Sequence, residues 1–440
     1  MRKMVSLVLL LFVLILLPCL VTADETMNPT RVRYVPAPAE ALTDSTSYVC
    51  AATADGRNLL IYGSELRLWD TQDHMQIPLV FSSQPEIMSE TVESLTQYQF
   101  YQDSRNQFFT TSEEYQEALI EWTEGVNARI ESILKRDNTS AIQTLEQLEK
   151  LFPGLIEFNV RDVNDHYAII VSSIGTFSVD LLTGDCLFLT TGPAYAVALN
   201  KDHVFFYGSY EDNYSLFSVD LVKRQFQALD INDYDLSFRN FMARSDKRGK
   251  TWLMGYNGWY PTNDEELEAF RLNMIEIFSG NTWQISLPRA YWDRFLGVSS
   301  LDRSMITGDG NHVLLYSANM PVLFVMVDLT DGSSLWHDDT LSKSADSTLL
   351  KPISALENCF VCYRPSDECL VLLDPETGDA TPLTFEMRSD DMPAQYRDAG
   401  SIGIHSGKVW TTITSRMLRN ANGNSCGMVF GSMPGYLVLE

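Results

Sequence analysis

Only 7 cysteines occur in 440 residues, and Cys19 lies within the first 23. The other six are too sparse for a disulfide-stapled scaffold, so an apolar core must hold the fold. Basic residues are also scarce: 32 Lys and Arg face 58 Asp and Glu, a formal net charge of −26. Such a surface repels phosphate backbones and anionic headgroups, which argues against nucleic-acid and membrane-surface partners. The histidines His74, His166, His203, His312, His337 and His405 stand singly, none at a short ligand spacing. No metal site and no cofactor are expected. Beyond the start of the chain, no run is apolar enough to span a bilayer.

The one long apolar run, Val5 to Leu17, follows Arg2 and Lys3 and ends at Pro18. With Val21 and Ala23 behind it, this is a signal peptide, residues 1–23, cut after Ala23. The mature chain is then secreted or extracytoplasmic, and more acidic still. An uncleaved anchor would need a longer run.

A short pattern recurs. "FSVDLLTGDCLFL" at Phe177 reads strand, turn, strand, with Asp180 opening the turn and Gly184 closing it. Asp can accept backbone N–H groups, and Gly tolerates positive φ. Equivalent positions are His74, Arg224, Gly280 (in a turn that looks shorter), Gly332, Gly378 and Gly435. The spacings from His74 onward are 110, 40, 56, 52, 46 and 57 residues. Apart from the first, these suit a four-stranded propeller blade of about 40–50 residues. Strand-like runs such as "YAIIVSS" and "HVFFYGS" precede the markers. The expected fold is all-β, a seven-bladed β-propeller over 47–440, with six or eight blades as the alternatives. Residues 24–46 form a lead-in whose "TRVRYVP" could close the ring.

This repeat resembles that of bacterial quinoprotein-like and YVTN-type propellers: a strand, Asp-x-x-Thr-Gly, then a strand with Trp. The resemblance implies the fold. It also implies that a Trp four residues past the Gly docks neighbouring blades. Trp336 fits that slot, whereas Phe188 and Pro382 stand there in other repeats. The adjacent Cys-Cys pair of the quinone-binding form is missing, so no quinone is implied.

The first spacing is too long by one insertion, residues 84–153, where the period changes from two to 3.6. Thr111 with Glu114 could form a capping box, and Tyr115, Leu119, Trp122, Val126, Ile130 and Ile133 share a face. "SAIQTLEQLEKLF" reads as a second helix stopped by Pro153-Gly154, and a further helix is expected around 86–101. These α-helices are expected to cover their own scaffold, or a partner.

In propeller topology the Asp turns share one rim, and the other rim carries the remaining loops. Trp259, Tyr260 and Asp264, and Tyr291, Trp292 and Asp293, fall in two of those loops. Aromatic rings beside carboxylates suit peptide or sugar recognition. The competing reading is that the rings cap a blade core. "CFVCYRPSDEC" allows two fates: a two-residue turn at Pro365-Ser366 would set Cys362 opposite Cys369 for a disulfide, or the thiols are simply buried. "GNSCG" matches a nucleophile elbow in letters only, since a strand-like run follows Ser425 where a helix is required. The expected protein is an exported, monomeric, non-catalytic binding module for a protein, peptide or glycan, acting through the loop rim. The alternative is a glycan hydrolase or lyase with carboxylates in the axial funnel.

Overall fold

Six four-stranded antiparallel sheets follow one another along the chain, each drawn from a single stretch. Sheet 1 spans 48–77, sheet 2 158–190, sheet 3 195–229, sheet 4 241–288, sheet 5 304–338 and sheet 6 351–382. The computed structural model describes residues 31–44, 47–53, 55–105, 109–210, 213–229, 241–246, 249–256, 269–288, 304–316, 324–338, 350–364, 369–386, 413–419, 425–431 and 435–439. Within each sheet the strands pair in chain order, up and down. Middle strands such as Asn58–Tyr62 and Phe324–Asp328 are buried on both faces, so their sequences run almost continuously apolar and do not alternate.

The first strands of sheets 2 and 3, 3 and 4, 4 and 5, and 5 and 6 lie against one another. The first strand of sheet 6 meets Ser425–Gly431, and that of sheet 1 meets Ile413–Arg419 and Ser425–Gly431. The inner strands therefore run from sheet 2 through sheets 3 to 6 and the last strands of the chain to sheet 1, and sheets 1 and 2 are joined through a shared core, a propeller-type arrangement. A further, mixed sheet joins the two ends of the chain, in the order Thr384–Glu386, Arg31–Pro36, Gly435–Leu439, Ile413–Arg419, Ser425–Gly431. Arg31–Pro36 runs antiparallel to Gly435–Leu439, with Tyr34 opposite Leu437. The seventh sequence marker behaves differently from the rest. Gly435 opens a strand that pairs with Ile413–Arg419 and Arg31–Pro36, and not with the Ser425–Gly431 strand that precedes it.

Three helices separate sheets 1 and 2: α1 (Pro85–Ser104), α2 (Ser112–Asp137) and α3 (Leu145–Leu151). Thr111 caps α2 by accepting from Glu114 N (3.1 Å), but the Glu114 carboxylate reaches Thr110 N (2.7 Å), one residue short of a full capping box. The complete box is at α3, between Thr144 and Gln147, which starts that helix later than periodicity alone predicts. Among the described residues no helix is long and apolar enough to cross a membrane.

The helices form a wedge rather than a loose decoration. Val80 exchanges backbone hydrogen bonds with Gly184 and Cys186, and the Gln84 side-chain amide donates to Phe188 O and accepts from Phe188 N, so residues 80–84 run along the outer strand of sheet 2. Phe81 stacks on Phe188 (4.5 Å) and meets Phe177 edge-on (5.2 Å). Leu145, Leu148, Leu151 and Phe152 complete one buried cluster with Leu60 and Leu68 of sheet 1 and Ile170 of sheet 2. Each fully buried ring there contributes about 2–3 kcal/mol.

One carboxyl inside the wedge is costly. Glu149 of α3 accepts a hydrogen bond from Leu66 N (3.2 Å), and burial there pushes its pKa up to about 8. The fold thus favours the neutral acid. Its favourable contribution is complete below the unfolded value near 4.5 and is lost as pH rises to about 8. Glu149→Gln keeps an acceptor without the charge. The melting temperature of this variant should exceed that of the parent at pH 8 and match it near pH 4.5; a gap unchanged with pH would refute the assignment.

Candidate functional site

The described residues build one edge of the ring in detail, from two kinds of turn. Between the third and fourth strands, an acid caps the turn with its side chain. Asp70 Oδ1 accepts from Gln72 N and Asp73 N (2.8 and 2.9 Å), and Asp180 Oδ1 from Leu182 N and Thr183 N (2.8 and 3.1 Å). Asp374 does the same for Glu376 N and Thr377 N, and Asp328 for Thr330 N. In sheet 4 the capping acid is Glu276, bonded to Phe278 N and Ser279 N, so that turn has the full length after all. Four residues on, the backbone turns left-handed at His74, Gly184, Arg224, Gly280, Gly332 and Gly378, with φ between 53° and 79°.

Between the first and second strands a second repeat appears, which sequence reasoning missed. Thr53 Oγ1 donates to Asp55 Oδ1, and Thr307 Oγ1 to Asp309 Oδ1 (both 2.6 Å), while Asp55 accepts from Arg57 N and Asp309 from Asn311 N. The signal was there to find, as Thr-x-Asp-Gly at Thr53 and again at Thr307. The two kinds of turn are tied together: Leu181 N donates to His166 O, Leu221 N to Asp202 O, Ile277 N to Thr251 O and Leu329 N to Asn311 O. They therefore share one edge.

That edge also fastens sheet to sheet. Asn58 Nδ2 donates to Leu181 O, Asn164 Nδ2 to Lys201 O, and Gly308 N to Leu356 O, each joining one sheet to the next. A Cβ at Gly184 would strike the Pro78 carbonyl of sheet 1, and one at Gly332 would come 2.5 Å from Trp283 Cδ1 of sheet 4. Trp283 is thus a residue that meets the next sheet; the Trp336 side chain lies outside the described residues. Where the left-handed residue is not Gly, its side chain crosses the gap. Arg224 pairs with Asp185 of sheet 2, and His74 Nδ1 lies 2.9 Å from Glu40 Oε1 of the lead-in. Arg57 holds the Asp70 carboxyl down at about 2, with the Asp73 and Gln72 amides helping. Lys223 likewise lowers Asp220. Tyr167, Ser178, Asp180, Asp185, Leu187, Leu221, Val222 and Arg224 line an open cleft of about 210 Å³ between sheets 2 and 3. Its acids and its one guanidinium are bound to one another or to turn amides, which suits fastening rather than proton transfer.

The opposite edge carries the long connections. Trp259, Tyr260 and Asp264 belong to 257–268, between the second and third strands of sheet 4. Tyr291, Trp292 and Asp293 belong to 289–300, after its fourth strand. All six lie outside the described residues.

Among the described inner strands one carboxylate occurs, Asp162. It accepts from Val163 N (2.9 Å) and from Leu199 N of sheet 3 (2.8 Å). A glycan hydrolase needs two carboxylates free to act. Among the described residues no three His, Cys, Asp or Glu side chains could hold a metal ion. Ser425 opens a strand opposite Arg419, in an antiparallel pair and not at a strand-to-helix elbow.

The proposed cross-strand cysteine pair is corrected by register. Arg364 stands opposite Cys369 and Cys362 opposite Val371, because the connection has four residues, 365–368, and not two. Cys362 is a buried free thiol, as are Cys50, Cys186 and Cys359. Burial pushes Cys50 and Cys359 up to about 12, and Cys186 and Cys362 well above the ordinary thiol range.

No family model matches the chain, and no curated protein matches it. Weak likenesses exist to solved structures. A nidogen/laminin complex structure shares 11% identity over 51% of this chain and 76% of that one, with a TM-score of 0.30. AztD from Citrobacter koseri shares 14% over 52% and 59%, TM-score 0.31. The Cps50 (Swd1) β-propeller domain of Myceliophteria thermophila shares 11% over 52% and 70%, TM-score 0.30. The propeller-type arrangement rests on sheet order and inner-strand contacts, not on these likenesses.

Two outcomes test this edge. Gly184→Ala should destabilise well beyond the roughly 1 kcal/mol that a left-handed Ala costs by itself. Gly280→Ala, with φ +70 and open space around it, should show only that smaller loss. Equal losses in urea titration would sink the sheet-contact argument. The four buried thiols should react with a thiol reagent only after unfolding, and Cys362 should map as reduced in the native protein.

Proposed function

We propose that the chain is an exported seven-bladed propeller, released by cleavage after Ala23, whose mixed end-joining sheet is the seventh blade. It works as a non-catalytic module that binds a protein, peptide or glycan through the edge of long connections. The observation that supports this reading is the asymmetry of the two edges. One is made of short turns whose acids are committed to backbone amides. The other holds the connections 257–268, 289–303, 317–323 and 339–350. Rigid sheets that present long loops on one side are a common basis for recognition. Trp259, Tyr260, Tyr291 and Trp292 supply flat apolar surface, and Asp264 and Asp293 supply acceptors for N–H or O–H groups. No cofactor enters the reading, and the single, amide-bound carboxylate of the described inner strands favours binding over hydrolysis.

The double variant Trp259→Ala, Trp292→Ala should keep the far-ultraviolet spectrum of the parent and lose binding to any ligand found by glycan array or pull-down. Undiminished binding would place the site elsewhere.

A further inference from the structure

The edge of short turns carries a pattern that fastening does not fully use: of the residues in it, Phe278 meets Phe205 of sheet 3 edge-on (5.6 Å) and is still largely exposed. Among the described residues outside the helices, the exposed large apolar side chains are Met75, Leu182, Val222, Phe278 and Leu335. All five lie in the turn between the third and fourth strands, or within the first residues of the fourth strand, one each in sheets 1 to 5. Scattered singly, such residues would mean nothing. Here they recur on one edge. Leu182, Val222 and Phe278 hold the same position, two residues past the capping acid, and are 53%, 65% and 65% exposed. Gln72, Thr330 and Glu376 fill that position in sheets 1, 5 and 6, so the turn itself does not demand an apolar residue.

Charge along the same edge is polarised. The turns of sheets 3 and 4 carry exposed Lys201, Lys223, Arg224 and Lys250 against one exposed acid, Asp202. The turns of sheets 5 and 6 carry exposed Asp331, Asp374, Glu376 and Asp379, and no Lys or Arg. An apolar hem with a basic arc beside an acidic arc is complementary to itself when turned over.

We propose that this edge is the interface of a face-to-face homodimer, with its two-fold axis between sheets 4 and 5. That axis sets sheet 3 of one copy over sheet 6 of the other, and sheet 4 over sheet 5. Lys223 and Arg224, which pair with Asp220 and Asp185 in their own chain, then also meet Glu376 and Asp379, and Phe278 meets the Leu335 hairpin. A closed, isologous contact of this kind uses the hem once per copy and leaves nothing to polymerise. It replaces the monomer expected from sequence, and it leaves the long-connection edges facing outward on both sides.

Sedimentation velocity of the mature chain between about 1 and 100 µM should show a dimer that weakens with salt. Leu182→Glu with Val222→Glu, both more than half exposed, should raise the dissociation constant at least about 100-fold with the far-ultraviolet spectrum unchanged. Lys223→Glu should weaken the dimer, and adding Glu376→Lys to the same chain should restore it, because each contact pairs the two positions across the axis. A monomer throughout the range would overturn the proposal. So would a dimer indifferent to both substitution sets, or a charge swap that fails to rescue.

Discussion

The ring depends on a left-handed residue at one place in the turn, which at Gly184 and Gly332 bears directly on the sheet before it. Six turns put φ between 53° and 79° at the same position. Three further bonds hold that conformation: the capping acid, the backbone pair around it, and the tie to the neighbouring first-to-second-strand turn. A side chain at Gly184 or Gly332 would intrude on the sheet before it. Arg224 and His74 accept the conformational cost, about 1 kcal/mol or more each, and offset it with a contact across the gap.

The same constraint sorts the chain's acids. A strongly negative protein would be expected to repel itself when compacted. Much of the charge on the turn edge is held locally, solvated by backbone amides at Asp180 and Asp374 and paired with cations at Asp70, Asp185 and Asp220. Acids committed in this way do structural work, and the repeat multiplies them. A carboxylate with a chemical role would have to stand outside the repeat.

What could be read from sequence follows from what is local. The Asp at the start of each turn and the Gly at its end are chosen by backbone geometry, so Gly184, Gly332 and Gly378 announced themselves. Glu276 hid its turn because one methylene more still reaches the same amides. Gly435 misled, since a glycine can open a strand as easily as close a turn. Register was out of reach for Cys362: nothing in 365–368 declares whether a connection takes two residues or four. The helical period marked the buried faces of α2 correctly at Val126 and Ile133, yet periodicity names a face and not its partner. That the wedge shares a core with sheets 1 and 2 is a matter of long-range packing. The aromatic loop residues from Trp259 to Trp292 were singled out by composition, and the described residues reach only the strand ends that flank them.

The strand Arg31–Pro36 lies between Thr384–Glu386 and Gly435–Leu439, so the beginning of the fold is completed by its end. A chain still being made has that strand, Arg31–Pro36, with bare amides on both sides and nothing yet to pair with them. Closing the circle joins residues some four hundred positions apart, the slowest kind of encounter a polypeptide makes. Until then the two outer edges of the unfinished ring can template unwanted strand addition. Folding is therefore a race between sealing and aggregation, decided by how quickly Gly435–Leu439 finds Arg31–Pro36.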